Sequence, residues 1–162
     1  MKLGDGVEWG LHCCALLAAL PPDDALPATK LAEYHGVPGA YLAKHLQALA
    51  RAGIVESTPG RRGGYRLARP AHRITFLDVV EAVEGDEPAF RCTEIRQRGP
   101  VPASPSAVRS PCAIAVTMAR AEHAWRKELD ATTIADIGAA LARKLDRRSI
   151  QAAGAWLAEA RS

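Results

Sequence analysis

The sequence lacks the features of a membrane or secreted protein. The stretch from Leu11 to Leu20 is too short to span a bilayer, which takes about 20 apolar residues. The start at Met1 leads straight into an amphipathic pattern instead of a cleavable signal. We therefore expect a cytoplasmic protein with no membrane partner.

The motifs of common enzyme classes are also missing. The chain has no glycine-rich loop of the phosphate-binding type and no His-Glu-x-x-His motif. No serine or cysteine is paired with a base by a recognisable motif. Internal repeats are absent as well. We therefore expect a binding protein and not an enzyme.

Acidic residues are scarce between Ala28 and Arg73, where Glu33 and Glu56 stand against eight lysines and arginines. The segment carries a net charge of +6, whereas the whole chain carries +3. The eight are Lys30, Lys44, Arg51, Arg61, Arg62, Arg66, Arg69 and Arg73. Positive charge concentrated in this way favours contact with a phosphate backbone, and we prefer double-stranded DNA to a protein partner.

The same segment has the pattern of a winged helix-turn-helix. Residues 28–35 form a short apolar-periodic helix that ends at Gly36, and a second helix runs to Gly53, the expected left-handed cap. Residues 54–68 then read as two short strands joined by a glycine-rich turn. The predicted fold class is mainly α with a small β wing, together with a long dimerisation helix described below.

Six side chains of this segment are candidates for DNA contact: Tyr41, Lys44, Gln47, Arg51, Arg61 and Arg62. The first three lie at the front of the second helix and are expected to face the major groove. Arg51, near the end of that helix, is expected to contact phosphate. The two arginines at the wing tip are expected to reach phosphate or the minor groove.

The first helix, predicted over Gly6–Leu20, has two distinct stripes. One is apolar and should pack under the helix-turn-helix; it comprises Val7, Leu11, Cys14 and Ala18. The other contains Glu8 and His12, which are one turn apart and could reach one metal ion or cluster. Such a pair on a helix surface is usually inert, so it is weak evidence alone. Cys13 lies on another face with no obvious partner.

The segment from Gly85 to Pro111 is rich in proline and predicted to be an irregular loop. Loops of this length tend to be functional or disordered. Cys92 and Cys112 bracket the loop, and Cys112 is predicted in the first turn of the next helix, where N–H groups and the helix dipole favour a thiolate. One centre bound to both would order the loop. The alternatives are two unrelated thiols, or a disulfide formed on oxidation.

Capping boxes mark two further helices. Thr75 with Asp78 opens a helix over residues 76–84, and Thr133 with Asp136 opens one that runs to about Arg143. The alanine-rich tail after residue 146 could dock as a last helix or stay loose.

The longest predicted helix, residues 113–131, has a narrow apolar seam. The seam comprises Ile114, Met118, Ala121, Trp125 and Leu129. A seam of this kind favours a homodimer, and the alternative is packing on the same chain. We divide the chain into a DNA-binding domain (1–84), a cluster-binding loop (85–111), the dimerisation and following helices (112–145) and a tail (146–162).

Several motifs together resemble a known family. The start Met1-Lys2-Leu3, the Tyr41–Lys44 run, the Gly60–Leu67 wing and the segments 74–83 and 132–136 resemble the winged-helix regulators that include IscR and NsrR. The resemblance covers about residues 1–141. It implies a dimeric DNA-binding regulator, and many such regulators hold an iron–sulfur cluster between the wing domain and the dimerisation helix.

The chain departs from the commonest pattern of that family, which has three closely spaced cysteines in the loop. The residues Glu8-Trp9, His12–Cys14 and 90–100 are instead similar to the redox-sensing RsrR type. This resemblance implies a [2Fe–2S] cluster with Cys92 and Cys112 on one iron. Glu8 and His12 from the partner chain would then hold the other iron.

The resulting prediction is a transcriptional repressor that senses redox state through a [2Fe–2S] cluster. Trp9, beside Glu8, is a candidate relay because its ring could repack when the charge of the cluster changes. Two alternatives stay open. One is a cluster-free regulator that uses Cys92 and Cys112 as a disulfide switch, and the other is a regulator that binds zinc through two cysteines, a histidine and a glutamate.

Overall fold

The computed structural model describes residues 3–60 and 63–161, and it is mostly helical with one small antiparallel sheet. The helices are α1 (Asp5–Ala18), α2 (Ala28–His35), α3 (Gly39–Arg51), α4 (Phe76–Glu84), α5 (Ala113–Asp130), α6 (Ile134–Lys144) and α7 (Arg147–Ala160). The strands are β1 (Val55–Thr58) and β2 (Gly64–Leu67). This architecture confirms the predicted fold class. Among the described residues, no helix is long and apolar enough to cross a membrane.

The chain divides into two compact units. The main unit is drawn from Lys2–Gly85 and Leu129–Ser162, and it holds the winged helix-turn-helix with α6 and α7. The loop–helix unit is Asp86–Glu128, and it holds the long loop and most of α5. Apart from a short 3-10 turn at Ile95–Gln97 and α5 itself, the described loop–helix unit has no regular secondary structure, in agreement with the predicted loop.

Helix α1 is the centre of the main unit, where it packs against α3, α4 and α6. It begins at Asp5 and ends at Ala18, slightly earlier at both ends than predicted. Val7 and Cys14 are buried as expected, but Cys13 is buried as well and belongs to the same core. A helix surrounded by neighbours buries more than one face, which is why Cys13 has a core role that one apolar stripe did not predict.

The helix-turn-helix follows the predicted pattern. Gly36 ends α2 in the left-handed conformation with φ +64°, and Gly53 follows α3 with φ +65°. Leucines on one face of α3 are fully buried against the rest of the main unit; they are Leu42, Leu46 and Leu49. Their burial directs the opposite face of α3 to solvent.

The wing is an antiparallel pair in which Val55 faces Leu67 and Thr58 faces Gly64. Leu26, from the segment before α2, forms an isolated antiparallel β-bridge to Tyr65 of β2. Two backbone hydrogen bonds make this bridge, at N···O distances of 2.7 and 3.0 Å. Gly64 permits this approach, because a Cβ atom there would lie 2.3 Å from the Leu26 backbone. The wing is thus tied through β2, close to its turn, to the segment that precedes α2.

The two predicted capping boxes are confirmed at the start of α4 and of α6. The segments that carry them lie side by side, since the N–H of Ile134 donates to the carbonyl of Ile74 at 2.9 Å and the N–H of Phe76 donates to that of Thr132 at 2.9 Å. Ile74 and Ile134 are fully buried at this junction. The junction holds α6 in the main unit next to α4.

The tail forms helix α7, which docks on the main unit. Leu157 is buried, and the ring of Trp156 packs against that of Tyr34 on α2 with centroids 4.8 Å apart. Arg161 forms an ion pair with Asp24. The sequence left open whether the tail docks or stays loose, and these contacts show that it docks.

Candidate functional site

The polar stripe of α1 lies where the sequence places it. Glu8 and His12 are exposed, on a different face of α1 from the buried core residues. They line a cavity of about 280 Å³ in the main unit, together with Trp9, His35 and Val37. A carboxylate and an imidazole therefore open onto the same small surface depression.

His35, at the end of α2, is a member of this cluster that the sequence did not reveal. Its ring lies 5.7 Å from that of His12, and its Nε2 atom is buried with no hydrogen-bond partner among the described residues. Burial and, secondarily, the charge of His12 lower the pKa of His35. The only sequence signal was its residue type, because it lies on a different helix from Glu8 and His12.

Trp9 links helix α1 to helix α3. Its ring meets that of His45 on α3 edge to face, with centroids 5.9 Å apart. The His45 ring also covers Gly6, where a Cβ atom would lie 2.2 Å from it. A change in the position of the Trp9 ring would therefore act directly on His45, which lies on α3 between the candidate DNA-binding residues Lys44 and Gln47.

Cys112 caps the N-terminus of α5, immediately before the helix and not in its first turn as predicted. Its carbonyl accepts the first helical hydrogen bond, from the N–H of Val116 at 2.9 Å. The N–H groups of Ala115 and Ile114 donate to its sulfur and lower the pKa of the thiol, and the charge of Arg96 acts in the same direction. The pKa of the Cys112 thiol is thus shifted in the direction expected at this helix end.

Cys92 lies in the same unit and is exposed, whereas Cys112 is partly buried. The guanidinium group of Arg96 lies near both sulfurs and interacts electrostatically with each of them. The pKa of Arg96 is raised mainly by its hydrogen bond to Glu94, and also by the nearby sulfurs of Cys112 and Cys92. The loop therefore brings both of its cysteines within electrostatic reach of a single guanidinium group.

The four cysteines are expected to differ sharply in reactivity. Burial raises the pKa of Cys13 to about 12 and that of Cys14 to about 12, so neither should react in the native state. In reduced, metal-free protein at about pH 8, we expect 5,5′-dithiobis(2-nitrobenzoate) to titrate Cys92 and Cys112 alone. All four should titrate in denaturant. Rapid reaction of all four thiols in the native protein would contradict the burial of Cys13 and Cys14 in the core.

No group of three or more histidine, cysteine, aspartate or glutamate side chains is arranged to hold a metal ion among the described residues of one chain. Each unit instead supplies two candidate donors. The main unit presents Glu8 and His12, and the loop–helix unit presents Cys92 and Cys112. Two donors do not complete a tetrahedral iron or zinc site, so neither pair fills one by itself.

The candidate DNA-binding residues of α3 share its solvent face. Tyr41, Lys44, Gln47 and Arg51 are all exposed, and Tyr41 retains 60% of its accessible surface. The Lys44 ammonium lies 5.4 Å from the centre of the Tyr41 ring. Arg61 and Arg62 lie outside the described residues, so their predicted contacts stay predictions.

The positive charge of the helix-turn-helix and wing is less available than the sequence count indicates. Arg66 is paired with Glu56 at 2.7 Å and with Asp23 at 3.3 Å, and Arg69 lies 3.2 Å from Asp78. Asp23 and Asp78 flank the basic segment in sequence, and so the count over residues 28–73 omitted them. Lys44 and Arg51 form no ion pair with any described residue.

The seam of α5 is exposed at Ile114, Met118 and Ala121 and half-buried at Trp125 and Leu129. None of the described residues of α5 is buried, and Ile114 and Met118 retain 63% and 40% of their accessible surface. Polar side chains surround the seam, with Arg126 and Glu122 3.6 Å apart one turn from each other. An apolar stripe of this kind on a long helix is typical of an interface.

Comparison with known proteins adds the family context. Residues 3–140 match the model of a family described as "Rrf2: Iron-dependent Transcriptional regulator". YwgB of Bacillus subtilis (strain 168), whose name is that of an HTH-type transcriptional regulator, is 32% identical over 125 residues, spanning 77% of this chain and 76% of YwgB.

Two solved structures share the fold. CymR, described as the global cysteine regulator of B. subtilis, superposes with a TM-score of 0.66 at 24% identity over 86% of this chain and 97% of its own. IscR of T. potens gives a TM-score of 0.67 at 21% identity over 91% of this chain and 93% of its own. At these identities the likeness establishes the winged-helix fold.

Proposed function

Because the chain belongs to the Rrf2 family of transcriptional regulators, we propose that it is a cytoplasmic, homodimeric repressor whose DNA affinity follows the redox state of a [2Fe–2S] cluster. The observation that carries this proposal is the pair of loop cysteines that share Arg96. A second pair of donors, Glu8 and His12, lies exposed on α1 and supports it. The RsrR-type motifs in the sequence point the same way.

The donor set fits such a cluster. Two thiolates suit one iron, as in ferredoxin-type centres, and the pKa of the Cys112 thiol is already lowered by two backbone N–H groups. Glu8 and His12 of a second copy would hold the other iron, with the unpartnered Nε2 of His35 beside them. When bound, the cluster supplies reversible one-electron chemistry. In this chain Glu8 and His12 would take the place that cysteine has in the common family pattern.

The decisive test is anaerobic purification followed by visible spectroscopy and iron analysis, on the wild type and on His12→Ala. We expect a coloured wild-type protein with about two iron atoms per chain, and a bleached or altered spectrum for the variant. His72→Ala is a matched control, since His72 is also an exposed histidine of the main unit and has no place in the proposed ligand set. A colourless wild type with zinc or no metal would contradict the cluster.

The contact between Trp9 and His45 supports the proposed relay. Trp9 follows Glu8 directly, and its ring touches the recognition helix. A change in charge at Glu8 and His12 would alter the environment of the Trp9 ring, and a movement of that ring would shift α3 against α1. In a dimer, such a shift changes the spacing of the two recognition helices and hence the fit to an operator.

The exposed seam of α5 supports the homodimer. Operator-binding winged helices generally act as two-fold dimers, and a self-complementary apolar stripe is what an isologous interface requires. The helix over residues 113–131 is therefore our proposed dimer interface. It would also place ligands from two copies in one assembly, which the split donor pairs require.

Two substitutions on α3 should affect DNA binding differently. Gln47→Ala removes a predicted base contact and should reduce discrimination between operator variants by about 1–3 kcal/mol. Arg51→Ala removes a predicted phosphate contact and should weaken binding to all sequences, lowering the salt slope by about one. Fluorescence anisotropy against a panel of operator variants at several salt concentrations measures both. Equal effects of Gln47→Ala on every sequence would contradict its base-reading role.

A cluster-free thiol switch is the second candidate, favoured by the same two cysteines. Cys92 and Cys112 are free, share Arg96 and could form a disulfide when the protein is oxidised. This mechanism gives no role to Glu8 or His12. It predicts an iron-free protein in which oxidation lowers the mass by about two hydrogen atoms and changes DNA affinity, and in which His12→Ala has no effect.

A further inference from the structure

The loop before α5 is organised around one side chain. Arg96 lies in the 3-10 turn Ile95–Gln97, and its guanidinium donates two hydrogen bonds to the Glu94 carboxylate, at 2.5 and 2.8 Å. It also donates to the carbonyl of Ala107 at 3.1 Å and to that of Ser110 at 3.2 Å. These contacts use the planar fork of arginine, which presents donors in several fixed directions.

The backbone of the same residue closes the middle of the loop. The carbonyl of Arg96 accepts a hydrogen bond from the N–H of Ala103 at 2.8 Å. Arg96 therefore connects positions 94, 103, 107 and 110 of a segment with little other regular structure. The side chain is about one quarter exposed, so water competes only partly for these bonds.

The connected positions flank the two loop cysteines. Glu94 follows Cys92 by two residues, and Ser110 precedes Cys112 by two residues. A guanidinium bonded to both neighbours limits how far the two thiols can separate. We infer that Arg96 is a positioning residue that holds Cys92 and Cys112 together as a pair before any metal binds. The inference rests on the proposed function only in treating these two cysteines as one functional pair.

The directions of the N–H groups of the Arg96 guanidinium, and not its positive charge alone, hold the loop together. A lysine at position 96 would keep the charge near both sulfurs, but its single ammonium could not bond Glu94, Ala107 and Ser110 together in these directions. The pKa of Arg96 is raised mainly by Glu94 and less by the two thiols, consistent with a structural anchor that lies beside the sulfurs.

The test is capture of the thiol pair by phenylarsine oxide in the reduced, metal-free full chain. The reagent forms two As–S bonds, and the two thiol protons leave with the oxide oxygen as water, while arsenic stays trivalent. Tight binding requires both sulfurs at once, so affinity reports how well the pair is preorganised. The variants are Arg96→Gln and Arg96→Lys. Arg91→Gln is the matched control, because Arg91 directly precedes Cys92 but forms an exposed ion pair with Glu87, at 2.8 Å.

We expect the affinity of Arg96→Gln and Arg96→Lys for the arsenical to fall at least about tenfold, toward that of a Cys92→Ser protein with one reactive loop thiol. Arg91→Gln should bind like the wild type. Wild-type affinity in Arg96→Gln would overturn the inference, and wild-type affinity in Arg96→Lys would overturn the role of the fork. Circular dichroism checks folding of each variant. Iron analysis of separately purified protein tests the cluster, so the two hypotheses can fail independently.

Discussion

Replacing Cys112 by serine should give a folded protein with no visible absorption and with DNA binding that no longer responds to oxidants or reductants. Cys112 sits at the N-terminus of α5, where two backbone N–H groups hold its sulfur and favour the thiolate. A serine hydroxyl has a far higher pKa and is a poor ligand for iron in such clusters. Iron content should fall from about two atoms per chain to near zero.

The control for this prediction is Cys14→Ala, which removes a buried thiol that has no proposed role as a ligand. Cys14 is fully buried in α1, so its loss should cost some stability but leave colour, iron content and redox response intact. Absorbance, iron analysis and DNA binding with and without dithionite measure the result. A Cys112→Ser protein that keeps wild-type colour and iron would remove Cys112 from the proposed ligand set.

Replacing Gly64 by alanine should damage the wing where β2 meets the segment that precedes α2. The new Cβ atom would lie 2.3 Å from the backbone carbon and oxygen of Leu26, and backbone atoms cannot move aside as a flexible side chain can. Separating the two segments would break both hydrogen bonds between Leu26 and Tyr65. Overpacking and the lost bonds together should reduce the free energy of unfolding by about 2–4 kcal/mol. Urea denaturation measures this change.

Gly154→Ala is the matched control for Gly64→Ala. Gly154 lies inside helix α7 with open space around it, so alanine should raise stability by up to about 1 kcal/mol through helix propensity. DNA binding should weaken in Gly64→Ala, because Gly64 positions the wing. It should stay unchanged in Gly154→Ala. Equal unfolding midpoints for the two variants would contradict the close approach at Leu26.

Much of the secondary structure was predictable because its signals are local. Gly36 and Gly53 mark helix ends through the left-handed conformation that glycine adopts easily, and the structure confirms both. Both capping boxes are confirmed for the same reason, since each depends on side chains three residues apart. The polar stripe of Glu8 and His12 was also predictable, because helical periodicity alone separates it from the core face.

Contacts between distant segments were not predictable in this way. The sequence does not predict that Cys13 belongs to the core, because it does not show how many elements pack around α1. His35 joins Glu8 and His12 only because α2 packs against α1. The pairing of Arg66 with Asp23 joins residues 43 positions apart, so a local count of charge could not include it.

The resemblance of the sequence to a family of winged-helix regulators implied the regulatory role. The sequence by itself determined a mainly helical winged helix-turn-helix with a basic segment, and it marked four side chains as candidate metal ligands. Periodicity, helix caps and residue type carry that information over a few residues at a time. Only the tertiary structure decided that Trp9 touches the recognition helix through His45, and that Arg96 serves both loop cysteines. Those relations depend on how segments far apart in the chain pack and hydrogen-bond, which no local pattern encodes.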